Sequence, residues 1–313
     1  MKTSVIISTV NRKQAALRLF ESLVAQSTPP DEILLIEAGY APWDKSELPP
    51  SLQPGFRVID APGMSLAAAR DLGRKEAAGN VLFFFDDDIL PPKNYIESAL
   101  HYLAHHSTIM AVGGAYTDRA VQDRRGSSIL IGRLLGIYAD GRRNRLLPSG
   151  WADYVRGPYA REITHADWLF GCNFAVRASA FTKAGFESRM AAWSFLEDVF
   201  FGVSLKEAFG DCMRVLPALK VIHDPPASGG AINVMSLRMR MLYRYLLWRE
   251  HISRSGRLHL LPFSLGMVAN LLLMIKQERK FWVVTETAKS LRFILQHRNV
   301  DWDGANGFIL SKD

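Results

Sequence analysis

Cysteine is nearly missing from this chain: two occur among 313 residues, Cys172 and Cys212. That scarcity fits a reducing compartment, as does an N-terminus, Met1-Lys2-Thr3, that runs into a strand-like segment without a signal-peptide layout. The expected location is therefore the cytoplasm. Two glycine-rich phosphate signatures are also missing. No G-x-G-x-x-G follows the first strand and no G-x-x-x-x-G-K-[ST] occurs, so neither a dinucleotide fold nor a P-loop enzyme is indicated. Zinc-finger spacing, an Arg-rich recognition helix and an aromatic RNA-binding strand motif are lacking too. Nucleic acid is thus not expected as a partner, although a net charge of +7 and a pI near 9.4 call for something anionic. No long low-complexity tract occurs, and with 48% hydrophobic and 22% charged residues the chain reads as one large folded domain with an appendage.

What the chain does have is Asp86-Asp87-Asp88 at the end of its most hydrophobic short run, Val81 to Phe85. That run has the length and composition of a strand covered on both faces, and open α/β sheets bind ligands beyond the carboxyl ends of such strands. Carboxylates there suit Mg²⁺ or Mn²⁺, ions that keep coordination positions open for phosphate oxygens. The local reading is a metal–diphosphate site. A solvated turn in which one Asp caps a helix starting near Pro91 is the competing one.

Around this run, strand and helix alternate. Val5 to Ile7 form a strand, and Leu17, Phe20, Leu23 and Val24 recur at helical spacing. Ile33 to Ile36 form a second strand and Val58-Ile59 a third. Ser65 can cap a helix running through Ala67, Ala68, Leu72 and Ala77, and Gly79-Asn80 turns into the Val81 strand. This predicts an α/β fold with a mostly parallel sheet.

In series, these residues resemble the family 2 glycosyltransferases of GT-A fold, and the resemblance extends over roughly the first 225 positions. Ser8, Thr9, Val10, Asn11 and Arg12 follow the opening strand as the family's nucleotide-lining turn does. Glu37 ends the second strand where the family usually has an Asp that contacts the base. Ala69 to Gly73 is similar to the Ala-Arg-Asn-x-Gly helix, with Asp71 in place of Asn and Arg70 as the implied nucleotide contact. Asp86 and Asp88 match the D-x-D metal motif, with Asp87 between them. Trp168 to Arg177 resembles the Gly-x-Asn-x-Ala-x-Arg segment, which implies that Gly171, Cys172 and Asn173 lie near donor sugar and acceptor. Trp193 leads into Glu197-Asp198, which matches the Glu-Asp motif, and Val221-Ile222-His223 closes the pattern.

The resemblance implies a nucleoside-diphosphate sugar donor, a glycan or lipid-linked acceptor and a setting in surface polysaccharide assembly. Asp88 and Asp86, with His223, would hold Mn²⁺ or Mg²⁺ against the leaving diphosphate. Asp198 is the chosen general base for the attacking hydroxyl, with Glu197 orienting the acceptor or supporting the loop, and attack opposite to the leaving group would invert the anomeric centre. For Asp198 and His223, structural roles as helix-start acid and strand-end histidine stay open. A haloacid dehalogenase-like phosphotransfer enzyme also opens on a hydrophobic strand and D-x-D, but Leu90 stands where Thr or Val is expected. An inactive nucleotide- or glycan-binding scaffold is the alternative from another class.

The expected division is a GT-A catalytic domain over 1–227, with a nucleotide-sugar half to about 115 and an acceptor half over 116–227, then a helical C-terminal extension over 228–313. Tyr116 to Asp167, with Arg124, Arg125, Arg133, Arg142, Arg143 and Arg145, reads as a surface loop or lid. In the extension, Leu237, Met241, Tyr245 and Trp248 repeat at helical spacing. Leu258 to Ile275 falls short of the roughly 20 apolar residues of a membrane span. Two readings follow: a helix in the interface at the inner face of the cell membrane, or a helical pair packed on the catalytic domain.

Overall fold

A computed structural model describes residues 1–40, 43–118, 132–224, 233–253, 260–278 and 280–311. The strands are β1 (Thr3–Thr9), β2 (Glu32–Glu37), β3 (Phe56–Asp60), β4 (Val81–Asp86), β5 (Ile89–Leu90), β6 (Ala111–Gly113), β7 (Tyr116–Asp118), β8 (Arg145–Leu146), β9 (Ala152–Asp153), β10 (Thr164–His165), β11 (Asn173–Arg177), β12 (Met213–Val215) and β13 (Val221–His223). The helices are α1 (Lys13–Val24), α2 (Leu66–Glu76), α3 (Tyr95–His105), α4 (Glu197–Phe209), α5 (Val234–Leu247), α6 (Leu260–Glu278), α7 (Phe281–Gln296) and α8 (Trp302–Leu310).

Eight strands make the central sheet in the order β10-β12-β6-β11-β4-β1-β2-β3. β3, β2, β1 and β4 pair in parallel, β11 runs antiparallel between β4 and β6, and β10 antiparallel to β12. The sheet is thus mixed and mostly parallel, with helices on its faces, as the alternation of strand and helix predicts. β1 and β4 are buried almost throughout, which is what continuous apolar runs such as Val81–Phe85 require. Below β4 and β11, Phe84 stacks on Phe174 at 4.9 Å between centroids and Phe186 on Phe201 at 4.4 Å, tying α4 to the sheet.

A small sheet, β5-β13-β7, stands at the carboxyl end of β4. It places His223 opposite Ile89 and so beside the aspartate triplet.

Ser65 caps α2 as expected, accepting from the Ala68 amide. The helix after the triplet does not start near Pro91. It starts at Tyr95 with Asn94 at its N-cap, because Asp86 still belongs to β4 and Ile89-Leu90 is itself a strand. The segment expected as a surface lid is packed instead where it is described. Leu147, Trp151 and Val155 are buried, and buried Asn144 takes the Val155 amide and donates to the Trp168 carbonyl. Arg124 and Arg125 lie outside the described residues.

The C-terminal helices close onto the rest of the chain. Trp302 of α8 packs edge-on against Phe200 at 5.4 Å, and the Tyr243 hydroxyl of α5 accepts from the Ala191 amide at 2.7 Å. α6 presents two different faces. Phe263, Met267 and Met274 are buried, whereas Leu261, Leu265, Val268, Leu272 and Ile275, spaced by three and four, are exposed. No helix among the described residues is long and apolar enough to cross a membrane.

Candidate functional site

Parallel pairing of β1 with β4 sets Ser8 against Asp86, so the turn after β1 and the triplet after β4 emerge side by side. β2 pairs on the other flank and sets Glu37 against Thr9. Asn11, at φ 55°, carries the left-handed turn that lets Arg12 fold back over the carboxylates.

Arg12 bridges Asp87 at 2.7 Å and Asp88 at 2.6 Å, and the Thr9 hydroxyl donates to Asp87 at 2.6 Å. Burial, the largest influence, drives the Asp87 carboxyl up to about 7 against those two partners. Burial would raise Asp88 too, but hydrogen bonds from His223 and Arg12 outweigh it and hold that carboxyl below the usual range. The His223 ring nitrogen Nε2 lies 3.2 Å from Asp88. Asp86, Asp88 and His223 each turn one ligand atom into a common space, all within 4.8 Å of one another. Two hard carboxylate oxygens and an imidazole nitrogen are a donor set that fits Mn²⁺ or Mg²⁺.

Glu37 is buried, and its carboxylate accepts from the amides of Asn11 and Gly39 and from Trp43 Nε1. It ties the turn after β1 to the turn after β2. A Cβ on residue 39 would lie 2.4 Å from Asn11 Oδ1, which is why glycine stands there. Ser8 is half-buried and Val10 is exposed at the mouth of this turn.

Arg70 is fully enclosed on α2. It donates to Glu197, to Asp86 at 2.7 Å and to the Gly171 carbonyl at 2.7 Å. One guanidinium therefore joins the end of β4, the start of β11 and the start of α4. Burial opposes its charge, but Glu197, Asp86 and Asp198 more than offset that and hold its proton tightly. Gly171 sits against this pair so closely that a Cβ would meet Glu197 Oε1 at 2.8 Å.

Asp198 accepts from the Gly171 amide at 3.1 Å and from its neighbour Val199 at 2.9 Å. Burial raises its carboxyl above the ordinary aspartate range, with those amides and Arg70 pulling the other way. Glu197 is driven by burial to about 7, again against Arg70. Both acids open α4, and the N-terminal end of a helix dipole favours negative charge. The turn before them is strained, with Ala192, Ser194 and Leu196 at φ 48°, 51° and 72°. Trp193 on that turn is 40% exposed.

Asn173 is buried and clamps β11 to Gly114 and to the Tyr95 hydroxyl, and Cys172 beside it is buried, with its thiol pushed up. Thus the structure gathers Asp86, Asp88 and His223 about one space and ties Asp86 through Arg70 to Glu197 and Gly171, with Asp198 bonded to the Gly171 amide. It gives Glu37 and Asn173 bonds within the protein. The tie between Arg70 and Glu197 spans 127 positions, and no spacing in the sequence announces it.

A family model for glycosyl transferase family 2 matches residues 4–163. An uncharacterised glycosyltransferase of Rickettsia felis is 35% identical over 112 residues, which are 35% of this chain and 18% of that protein. Glycosyltransferase YwdF of Bacillus subtilis, also uncharacterised, is 36% identical over 99 residues, 31% of this chain and 36% of that one. The chain covers well under half the length of these relatives. Among solved structures, GalNAc-T7 with UDP, GalNAc and Mn²⁺ matches with a TM-score of 0.57 at 18% identity, over 81% of this chain and 50% of that chain, a likeness of fold. Glu197, Asp198 and His223 lie beyond the family match.

Proposed function

The chain belongs to glycosyl transferase family 2 and has a GT-A-like fold, and from that premise we propose that it moves a sugar from a nucleoside diphosphate to a hydroxyl of a glycan or lipid-linked acceptor, with inversion. The observation that carries this reading is Arg70, which joins the D-x-D corner at Asp86 to the Glu197-Asp198 corner. Leaving-group and acceptor chemistry are thereby held at a fixed spacing.

Each side of the transfer then has its residues. Ser8, Thr9, Val10, Arg12 and Glu37 shape the nucleotide end, Glu37 by holding the turn rather than by reaching the base. Asp86, Asp88 and His223 are the residues that would hold Mn²⁺ or Mg²⁺, whose positive charge would offset that gathering on the diphosphate as it leaves. Arg12 and Arg70 flank the same charge. Asp198, anchored by the Gly171 amide, takes the proton of the attacking hydroxyl. Glu197 keeps Arg70 in place, and Trp193 offers an exposed ring for a sugar face. A catalytic domain over 1–227 followed by a C-terminal extension agrees with the described elements after residue 233, which are all helical. Family membership displaces the haloacid dehalogenase-type reading.

Asp88→Asn tests the metal corner. Replacing a carboxylate by a neutral amide should weaken Mn²⁺-dependent binding of a nucleoside diphosphate at least tenfold by calorimetry, by analogy with the loss on altering metal-site partners. Unchanged affinity would remove Asp88 from the site. His223→Ala with a normal metal requirement would return His223 to a structural part.

The exposed stripe of α6 supports peripheral contact with the cytoplasmic face of a membrane. A basic chain of net charge +7 with Leu261, Leu265, Val268 and Leu272 facing outward suits an anionic bilayer. The protein should float with anionic liposomes and be partly released by salt, since basic side chains near such a surface contribute about 1 kcal/mol each. Leu265→Gln with Leu272→Gln should abolish flotation. A wild-type protein that stays with the soluble fraction at low salt would leave α6 with its packing role only.

A further inference from the structure

Three residues of the turn that runs into the Glu-Asp pair take left-handed backbone although none is glycine. Ala192, Ser194 and Leu196 stand at φ 48°, 51° and 72°, and Asp198 follows two residues later. Such a run persists only where its surroundings hold it, because an unrestrained chain returns to the right-handed or extended regions. Whatever restrains this turn also places the proposed base.

One side of the restraint comes from the start of α2. The Leu66 amide donates to the Ala192 carbonyl at 2.9 Å and the Ala67 amide to Ser194 Oγ at 3.3 Å. These bonds tie the turn to the helix that carries Arg70, and so to the donor side. The other side comes from the far end of the chain. The buried Tyr243 hydroxyl of α5 accepts from the Ala191 amide at 2.7 Å and donates to Asn306 Oδ1 of α8 at 2.7 Å. Asn306 Nδ2 in turn donates to the Arg189 carbonyl at 2.7 Å. A phenol and an amide thus close a chain of three hydrogen bonds on residues 189–191, each side chain using both a donor and an acceptor.

Helix α8 makes a second, independent contact with the same region. Its Trp302 lies 5.0 Å under the Arg189 guanidinium and packs edge-on at 5.4 Å against Phe200, two residues beyond Asp198. The last described helix therefore grips the acidic pair from before and behind, through the turn that leads into it and through the first turn of α4.

We propose that Tyr243 and Asn306 are positioning residues for the base, and that the C-terminal helices brace the strained turn so that Asp198 meets the attacking hydroxyl. The inference rests on the transferase reading and gives the C-terminal extension a part in the chemistry, apart from the exposed stripe of α6. Neither side chain is asked to touch a reacting atom. They act through the backbone of 189–191, and a small displacement of the carboxylate is enough to slow transfer. Losing the brace should lower turnover and leave the donor and metal corner as it was.

Hydrogen exchange on the full chain, with no ligand added, reads the brace itself. Tyr243→Phe removes the hydroxyl and Asn306→Ala the amide, and each should speed exchange of the amides of 190–198 by about tenfold or more while β1 and β4 keep their protection. Asn233→Ala is the control. It removes the cap at the start of the same α5, where Asn233 accepts from the Ser236 amide, and should destabilise that helix while leaving the turn and turnover near wild type. Turnover is read as hydrolysis of whichever nucleotide sugar stabilises the wild type in Mn²⁺, with water as acceptor. In Tyr243→Phe and Asn306→Ala, kcat should fall by about 10–10²-fold with the donor KM unchanged. Placed in Asp198→Asn, Tyr243→Phe should cost less than about twofold more, since both changes act through one carboxylate. Exchange at 190–198 unaltered in both variants, a kcat near wild type once exchange has risen, or losses that add fully in the double variant would each overturn the positioning role. A wild type that no nucleoside diphosphate stabilises in Mn²⁺ would overturn the transferase reading instead.

Discussion

Asp198→Asn should leave metal and nucleotide binding in place while sugar transfer falls by about 10²–10⁴-fold, the usual worth of a positioned acid or base. The amide keeps the shape and can still meet the Gly171 amide through its oxygen, so the site should not collapse. What it loses is a proton acceptor. Because burial raises the wild-type carboxyl, the acidic limb of kcat should lie above the ordinary aspartate range, with activity gained as pH rises through it. Transfer at nearly the parental rate would remove Asp198 from the role of base. The same result for Asp198→Asn with loss in Glu197→Gln would move that role one residue earlier.

Arg70→Met should have the largest effect on stability, about 3–5 kcal/mol, because removing one partner of a buried pair strands the other. Glu197 would keep its buried carboxyl, Oε2 of which already lacks a partner, and Asp86 would lose its only ion-pair neighbour among the described residues. The loss should deepen with pH. Glu197 already binds its proton more tightly folded than unfolded, up to about 7, so this group's contribution to stability is fully present below the ordinary glutamate range and is lost as pH rises through 7. Without Arg70 the folded-state affinity for that proton climbs further. Denaturant unfolding at pH 5 and pH 8 measures both effects, and Arg70→Met combined with Glu197→Gln should recover a good part of the loss. A single variant as stable as the parent at both pH values would show that Arg70 does not compensate Glu197.

The sheet was legible because its signals are local. Val81–Phe85 is apolar without alternation, as a strand covered on both faces must be, and Ser65 is followed by a helical pattern whose amide it caps. The triplet was legible for the same reason, since strand and carboxylates are contiguous. Pairings across the fold were not. His223 reaches Asp88 only because β13 joins β5 in a sheet of very short strands, two residues against three, which carry little periodicity. The segment before Asp167 looked like a lid because its strands are two residues long, while the hydrogen bonds of Asn144 that pack it leave no pattern in sequence.

The claim on which the rest depends is that the corner built by Asp86, Asp88 and His223 receives a nucleoside diphosphate together with a divalent cation. Thermal unfolding of the full chain with a panel of nucleoside diphosphates and their sugars, in Mn²⁺ and in EDTA, measures it directly. A rise in Tm with at least one nucleotide in Mn²⁺, reduced in EDTA and in Asp88→Asn, is the expected result. No shift with any nucleotide, or a shift of the same size in EDTA, would contradict it.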